Sequence, residues 1–134
     1  MLFAALGPRI AEVDVAGERS YILADDLDAL LATKPTKTVR LLPGFDQFVL
    51  GPGTDDGHVI PTRRRASVSR QSGWIAPVVL VGGVVQGTWE VVGERLVVDW
   101  FTEAGAVPKK SLLAEADRVA AVLGRDLRLA VKAA

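Results

Sequence analysis

Apolar and polar residues alternate along Ile10-Ala11-Glu12-Val13-Asp14-Val15 and again along Arg19-Ser20-Tyr21-Ile22-Leu23, with Ala16-Gly17-Glu18 between them. A period of two on both sides of a glycine turn predicts a short hairpin. Leu27, Leu30 and Leu31 then recur at helical spacing. Asp25, Asp26 and Asp28 precede or line the first turn of that helix, where negative charge suits the positive N-terminus. Lys34 to Thr38 is polar and contains the breaker Pro35, so a boundary is expected near that proline.

Beyond it the pattern changes to longer apolar runs. Val39 to Pro43 reads as a strand, and Phe45 to Leu50 as a second strand or a short turn of helix. Gly51 to Gly57 carries three glycines and a proline and predicts an exposed loop. Ile75 to Val92 is rich in β-branched residues and is divided by Gly82-Gly83, the residue type that tolerates the positive φ of a tight primed turn. Arg95 to Phe101 follows after Gly93-Glu94 and completes a three-stranded antiparallel meander. Pro108 opens a helical stretch with Leu112, Leu113, Ala116, Val119, Ala120 and Leu123 at helical spacing up to Gly124. Leu127, Leu129 and Val131 alternate in a final strand. These elements predict an α+β fold: a hairpin and short helix over residues 1–36, then a small antiparallel β-barrel-like domain with one packed C-terminal helix over residues 37–134. Closure of the sheet is expected because it removes exposed edges. Leu41, Trp89, Val97, Leu113 and Leu123 are expected in its core.

A chain of 134 residues, 49% hydrophobic and 24% charged, has the composition of a globular protein of one domain, or one domain plus part of a neighbour. The longest apolar stretch, Ile75 to Val85, is interrupted by Pro77 and Gly82-Gly83 and is too short to span a bilayer. Met1 to Leu6 is apolar but lacks the basic flank and length of a signal peptide. No membrane association is expected, and the absence of cysteine fits a cytoplasmic setting. Sixteen basic residues balance sixteen acidic ones, so only local asymmetry can draw the chain to a charged partner. Residues 12–28 hold six acids against Arg19, whereas residues 60–75 hold Arg63, Arg64, Arg65 and Arg70 and no acid.

Candidate chemistry is sparse. His58 is the only histidine and no cysteine accompanies it, so no transition-metal set forms. Asp55 and Asp56 lack the spacing of a calcium loop. Neither Ser67 nor Ser69 sits in a nucleophile elbow, and the glycine pairs lack the strand–glycine–helix context of a phosphate loop. No metal, cofactor or catalytic residue is assigned. The arginine segment either grips phosphates through clustered guanidinium groups or is a solvated loop or helix start. Trp74, Trp89, Phe45 and Phe48 are either core residues or platforms for a base, and Trp74, beside the arginines, suits both roles.

Leu41-Leu42-Pro43-Gly44-Phe45-Asp46-Gln47, Gly73-Trp74-Ile75-Ala76-Pro77 and Gly87-Thr88-Trp89 together resemble the C-terminal barrel region of winged-helix DNA-binding proteins that include the YcaQ/AlkZ-type DNA glycosylases. Residues 10–32, a hairpin plus a helix that includes Tyr21-Ile22-Leu23-Ala24-Asp25-Asp26-Leu27, are similar to the end of the last winged-helix unit preceding that region. The resemblance implies a DNA-facing role, with nucleic-acid contacts at Arg63, Arg64, Arg65, Arg70 and Trp74. In the glycosylases it resembles, catalysis belongs to a Gln-x-Gln or Gln-x-Asp motif, and Gln47, Gln71 and Gln86 begin none here. The expected function is therefore a DNA-binding accessory domain without the catalytic glutamines. The alternative is a structural or interaction module with no nucleic-acid role. Expected partners are DNA, a winged-helix domain or another copy of the chain. A third reading, a small-molecule enzyme, rests only on His58 near Asp55 and Asp56.

Overall fold

A computed structural model describes residues 2–134, and the chain divides into two compact units, Met1–Pro35 and Thr36–Ala134. In the first unit, helix α1 (Leu2–Leu6) leads into an antiparallel hairpin of β1 (Ile10–Val15) and β2 (Glu18–Leu23), followed by α2 (Leu27–Ala32). The hairpin register runs from Ile10 opposite Leu23 to Val15 opposite Glu18, as the alternation predicts. None of residues 4–35 is buried, and Tyr21, Leu23, Leu30 and Leu31 are all exposed.

The second unit contains β3 (Val39–Leu42), α3 (Gln47–Leu50), α4 (Arg65–Val68), β4 (Val78–Val81), β5 (Val84–Val92), β6 (Arg95–Trp100), α5 (Lys109–Leu123) and β7 (Arg128–Ala133). Five strands form one sheet in the order β3-β4-β5-β6-β7. The first four are antiparallel to their neighbours, whereas β7 runs parallel to β6. Parallel neighbours need a crossover, and α5 supplies it. At the β4–β5 turn both central glycines take positive φ, +57° and +88°, the requirement of a type I′ turn. A Cβ on Gly82 would also lie 2.5 Å from the Thr36 carbonyl oxygen, so glycine is needed there twice over.

The expected barrel is not formed. Among the described residues, β3 and β7 remain the two edges of an open sheet. The physical reason lies in α5, which contacts both β3 and β7 and so lies across the face that closure would have enclosed. Beneath it pack Val39, Leu41, Val79, Leu96, Val98, Trp100, Leu112, Ala116 and Val119. The opposite face is covered by the long segment between β3 and β4, whose Val49, Ile60, Val68 and Ile75 pack on Val78, Leu80, Val85 and Phe101. With both faces covered, β4 is an unbroken apolar run, Val-Val-Leu-Val, instead of an alternating one.

Leu41 and Val97 are buried as expected. Leu113 and Leu123 are not: they are 52% and 48% exposed, because the inward stripe of α5 is Leu112, Glu115, Ala116 and Val119 and these two lie beside it. Trp89 is half-buried against the α5-side core, and its indole N–H donates to the Leu42 carbonyl at 2.9 Å.

Glu115 is the acid within that stripe. Its carboxylate accepts from the Leu41 backbone N–H at 3.0 Å, from Arg118 Nε and Nη2 at 3.1 and 2.8 Å, and from Arg40 Nη1 at 3.4 Å. The helix is thereby pinned to the backbone of edge strand β3.

Candidate nucleic-acid interface

The arginine segment folds as a turn over Thr62–Arg64 running directly into α4. The chain then makes a narrow reversal. Ser69 bridges Ile75, Arg70 N–H donates to the Trp74 carbonyl at 2.8 Å, and Ala76 N–H donates to the Val68 carbonyl at 2.9 Å. Ser72 and Gly73 take positive φ at the tip. This reversal is what places Arg70 beside Trp74.

The four arginines do not act alike. Arg64 Nε and Nη2 each donate to Glu103 at 2.7 Å, and Nη2 also reaches the Ala134 carbonyl oxygen at 2.8 Å. Its guanidinium carbon lies 4.4 Å from the centroid of the Phe101 ring, a cation–π geometry. Arg64 is therefore committed to holding the segment onto the sheet. Arg63 also faces Glu103, at 3.4 Å, with its side chain 72% exposed. The fold thus brings an acid to a segment that has none in sequence. The hydrogen bonds from Arg64, assisted by the charges of Arg64 and Arg63, hold the Glu103 carboxyl down to about 2.

Arg65 is exposed and makes only a 3.3 Å hydrogen bond to the Thr54 hydroxyl. Arg70 is exposed and uses Nε to reach the Ser67 carbonyl oxygen at 3.3 Å. Neither forms an ion pair among the described residues. Trp74 is 50% exposed and meets the Phe45 ring edge-on, with centroids 5.3 Å apart and planes at 88°. Phe45 and Phe48 are nearly as open, so three aromatic side chains lie at the surface of this unit instead of in its core.

Arg70 and Trp74 border a groove of about 420 Å³ that also includes Thr88, Trp89, Glu90 and Asp99. It opens beside β5 at the start of β4: the first β4 residue, Val78, pairs with Thr88, and Trp89 N–H donates to the Pro77 carbonyl at 3.1 Å. The groove was not anticipated from sequence. Its one visible signal was Pro77, which sets the start of β4 and leaves the nine-residue β5 longer than its partner.

Near the glycine-rich loop, His58 Nδ1 lies 3.0 Å from Asp56 Oδ1, and the same oxygen accepts from the His58 backbone N–H at 2.8 Å. Those bonds hold the Asp56 carboxyl below its ordinary range. The pair braces an exposed turn. Among the described residues no cluster of three potential metal ligands occurs, and no helix is long and apolar enough to cross a membrane.

The profile of the DNA glycosylase AlkZ-like family matches residues 2–122. An interstrand DNA cross-link repair glycosylase from Streptomyces sahachiroi is 43% identical over 122 residues, covering 91% of this chain and 33% of that protein. The solved structure of the Streptomyces sahachiroi DNA glycosylase AlkZ superposes with a TM-score of 0.91 at 42% identity, over 98% of this chain and 35% of that one. The chain therefore spans about one third of the length of these relatives.

Proposed function

Because this chain belongs to the AlkZ-like DNA glycosylase family, we propose that it supplies a DNA-contacting surface to base-excision repair and that the catalytic glutamines belong to the part of such proteins it does not span. The observation that carries the reading is the placement of Arg63, Arg65 and Arg70 as exposed cations on a unit whose net charge is otherwise balanced, with exposed Trp74 among them. Guanidinium groups in the open bind phosphate oxygens bidentately, whereas Arg64 is already engaged by Glu103. Residues 1–36 are read as the end of a winged-helix unit. The exposed Leu23, Leu30 and Leu31 support this, since a small unit with no buried residue among its described positions 4–35 is completed by packing on another surface.

The test is the salt dependence of DNA binding. Three phosphate contacts give a slope of log K against log salt of roughly −2.7, with affinity of about 10⁻⁴ to 10⁻⁶ M at physiological salt. Replacing Arg63, Arg65 and Arg70 by serine is expected to bring that slope toward zero without lowering the melting temperature. A variant that keeps both slope and affinity defeats the reading and leaves the interaction module in its place.

The chain by itself is expected to release no base from an alkylated or cross-linked oligonucleotide. Base release by pure protein, abolished by substituting a residue of this chain, overturns the assignment of catalysis to the part of such proteins that this chain does not span.

A further inference from the structure

We propose that the groove between Trp74 and β5 holds a single unstacked nucleobase, with a preference for bases carrying an exocyclic amino group. The proposal rests on the DNA-binding reading and specifies where and how one nucleotide is engaged. Trp74 at the rim is half open to solvent, yet it is fixed by the edge-on Phe45 ring and by the backbone pairing of its carbonyl with Arg70 N–H. A pre-positioned exposed indole is a stacking platform for a base freed from its neighbours. Arg70 stands at the same rim with only its Nε engaged, so its terminal nitrogens can meet the phosphate of that nucleotide.

The interior of the groove has the opposite sign. Glu90 and Asp99 line it together with Thr88, which pairs with Asp99 across β5 and β6, and Asp99 lies 4.0 Å from the largely exposed Lys132. Carboxylates accept hydrogen bonds and offer none at neutral pH, so they match the amino groups of cytosine, adenine and guanine. They oppose the carbonyl edge of thymine. The free edge of β5 adds to this. Trp89 N–H points toward β4, so by the alternation of an antiparallel ladder the Val91 peptide groups point the same way, past the start of β4. A cation at the mouth with acceptors within suits a nucleotide, phosphate outward and amino-bearing base inward. It does not suit a simple anion, which the carboxylates would repel.

Short single strands of dA, dC and dT, and a duplex of mixed sequence, distinguish the groove from general phosphate contact. The full chain is expected to bind the dA and dC strands several-fold more tightly than dT. Trp74→Ala is expected to weaken single-strand binding by about 5- to 100-fold, the range for loss of one stacked base, while duplex affinity stays within about twofold because duplex bases are already stacked. Trp74→Phe restores most of the loss, and Asp99→Asn brings the three strands to within about twofold of one another. Equal binding of dA, dC and dT by the parent chain, or an unchanged single-strand affinity in Trp74→Ala, overturns the groove while the salt-dependent duplex reading stands. Absence of binding to every oligonucleotide overturns both.

Discussion

Truncating Phe101 to alanine is expected to destabilise the second unit by about 3–5 kcal/mol, the range for removing a large enclosed ring. Phe101 is 1% exposed and lies immediately after β6, among Val49, Ile60, Val68, Val78, Val85 and Ile75. These residues come from both the sheet and the long segment crossing it, so collapse around a cavity would require the segment to move. That segment is tied down through the same ring. Arg64 stacks over Phe101 and is held in place by Glu103, so the truncation also removes the surface on which the guanidinium rests. Phe101→Leu retains an apolar side chain and is expected to lose distinctly less. Urea unfolding followed by tryptophan fluorescence measures both, and a loss under about 1 kcal/mol for Phe101→Ala would show that the ring is not enclosed.

The site has a functional stake in that packing. Arg63, Arg65 and Arg70 sit on a segment whose helical parts are a three-residue turn and a four-residue helix, too short to be stable alone. Their spacing is fixed by Ile60, Val68 and Ile75 gripping the sheet face. A DNA surface built this way is as ordered as the core beneath it, so Phe101→Ala should weaken DNA binding as well as stability.

Much of the sheet was legible because its signals are local. The Gly82-Gly83 turn needs positive φ at two successive residues, and the alternation at Leu127, Leu129 and Val131 reappears in β7. Closure was not legible, because whether a sheet curls or accepts a helix across its face depends on where α5 returns, which no local pattern records. The inward stripe of α5 was misread for a related reason. Apolar spacing alone includes Leu113 and Leu123, whereas the buried stripe includes the acid Glu115. Only β3, packed against the helix, reveals that the Leu41 N–H needs an acceptor at that place. The arginine segment was found by its charge. The commitment of Arg64, and the exposed ion pair of Arg63, depend on Glu103, which is 39 residues away from Arg64 in sequence.

Replacing Glu115 by alanine is expected to cost about 2–3 kcal/mol, a large loss for one surface-helix acid. The carboxylate is the acceptor for a buried backbone donor on β3, and its loss leaves the Leu41 N–H unpaired, worth about 1–3 kcal/mol on its own. The ion pairs contribute less, since the side chains of Arg40 and Arg118 are 54% and 52% exposed and return to water when released. Glu115→Gln keeps an oxygen for the Leu41 N–H and is expected to recover about half the loss. The pH dependence supplies a second measurement. Burial raises the Glu115 carboxyl, but the Arg118 hydrogen bonds, the Leu41 N–H and the nearby cationic charge outweigh it and hold the group below its ordinary 4.5. A carboxyl with a lowered folded value stabilises fully above its unfolded value and loses that contribution as pH falls through the folded one. Glu103, at about 2, acts in the same direction and extends the loss further into acid. The parent chain is therefore expected to lose stability steadily as pH drops from about 4.5 toward 2, and Glu115→Gln to lose less over the same range because Glu103 and Asp56 still titrate there. A variant whose acid profile parallels the parent's throughout would show that Glu115 does not couple the helix to β3 through its charge.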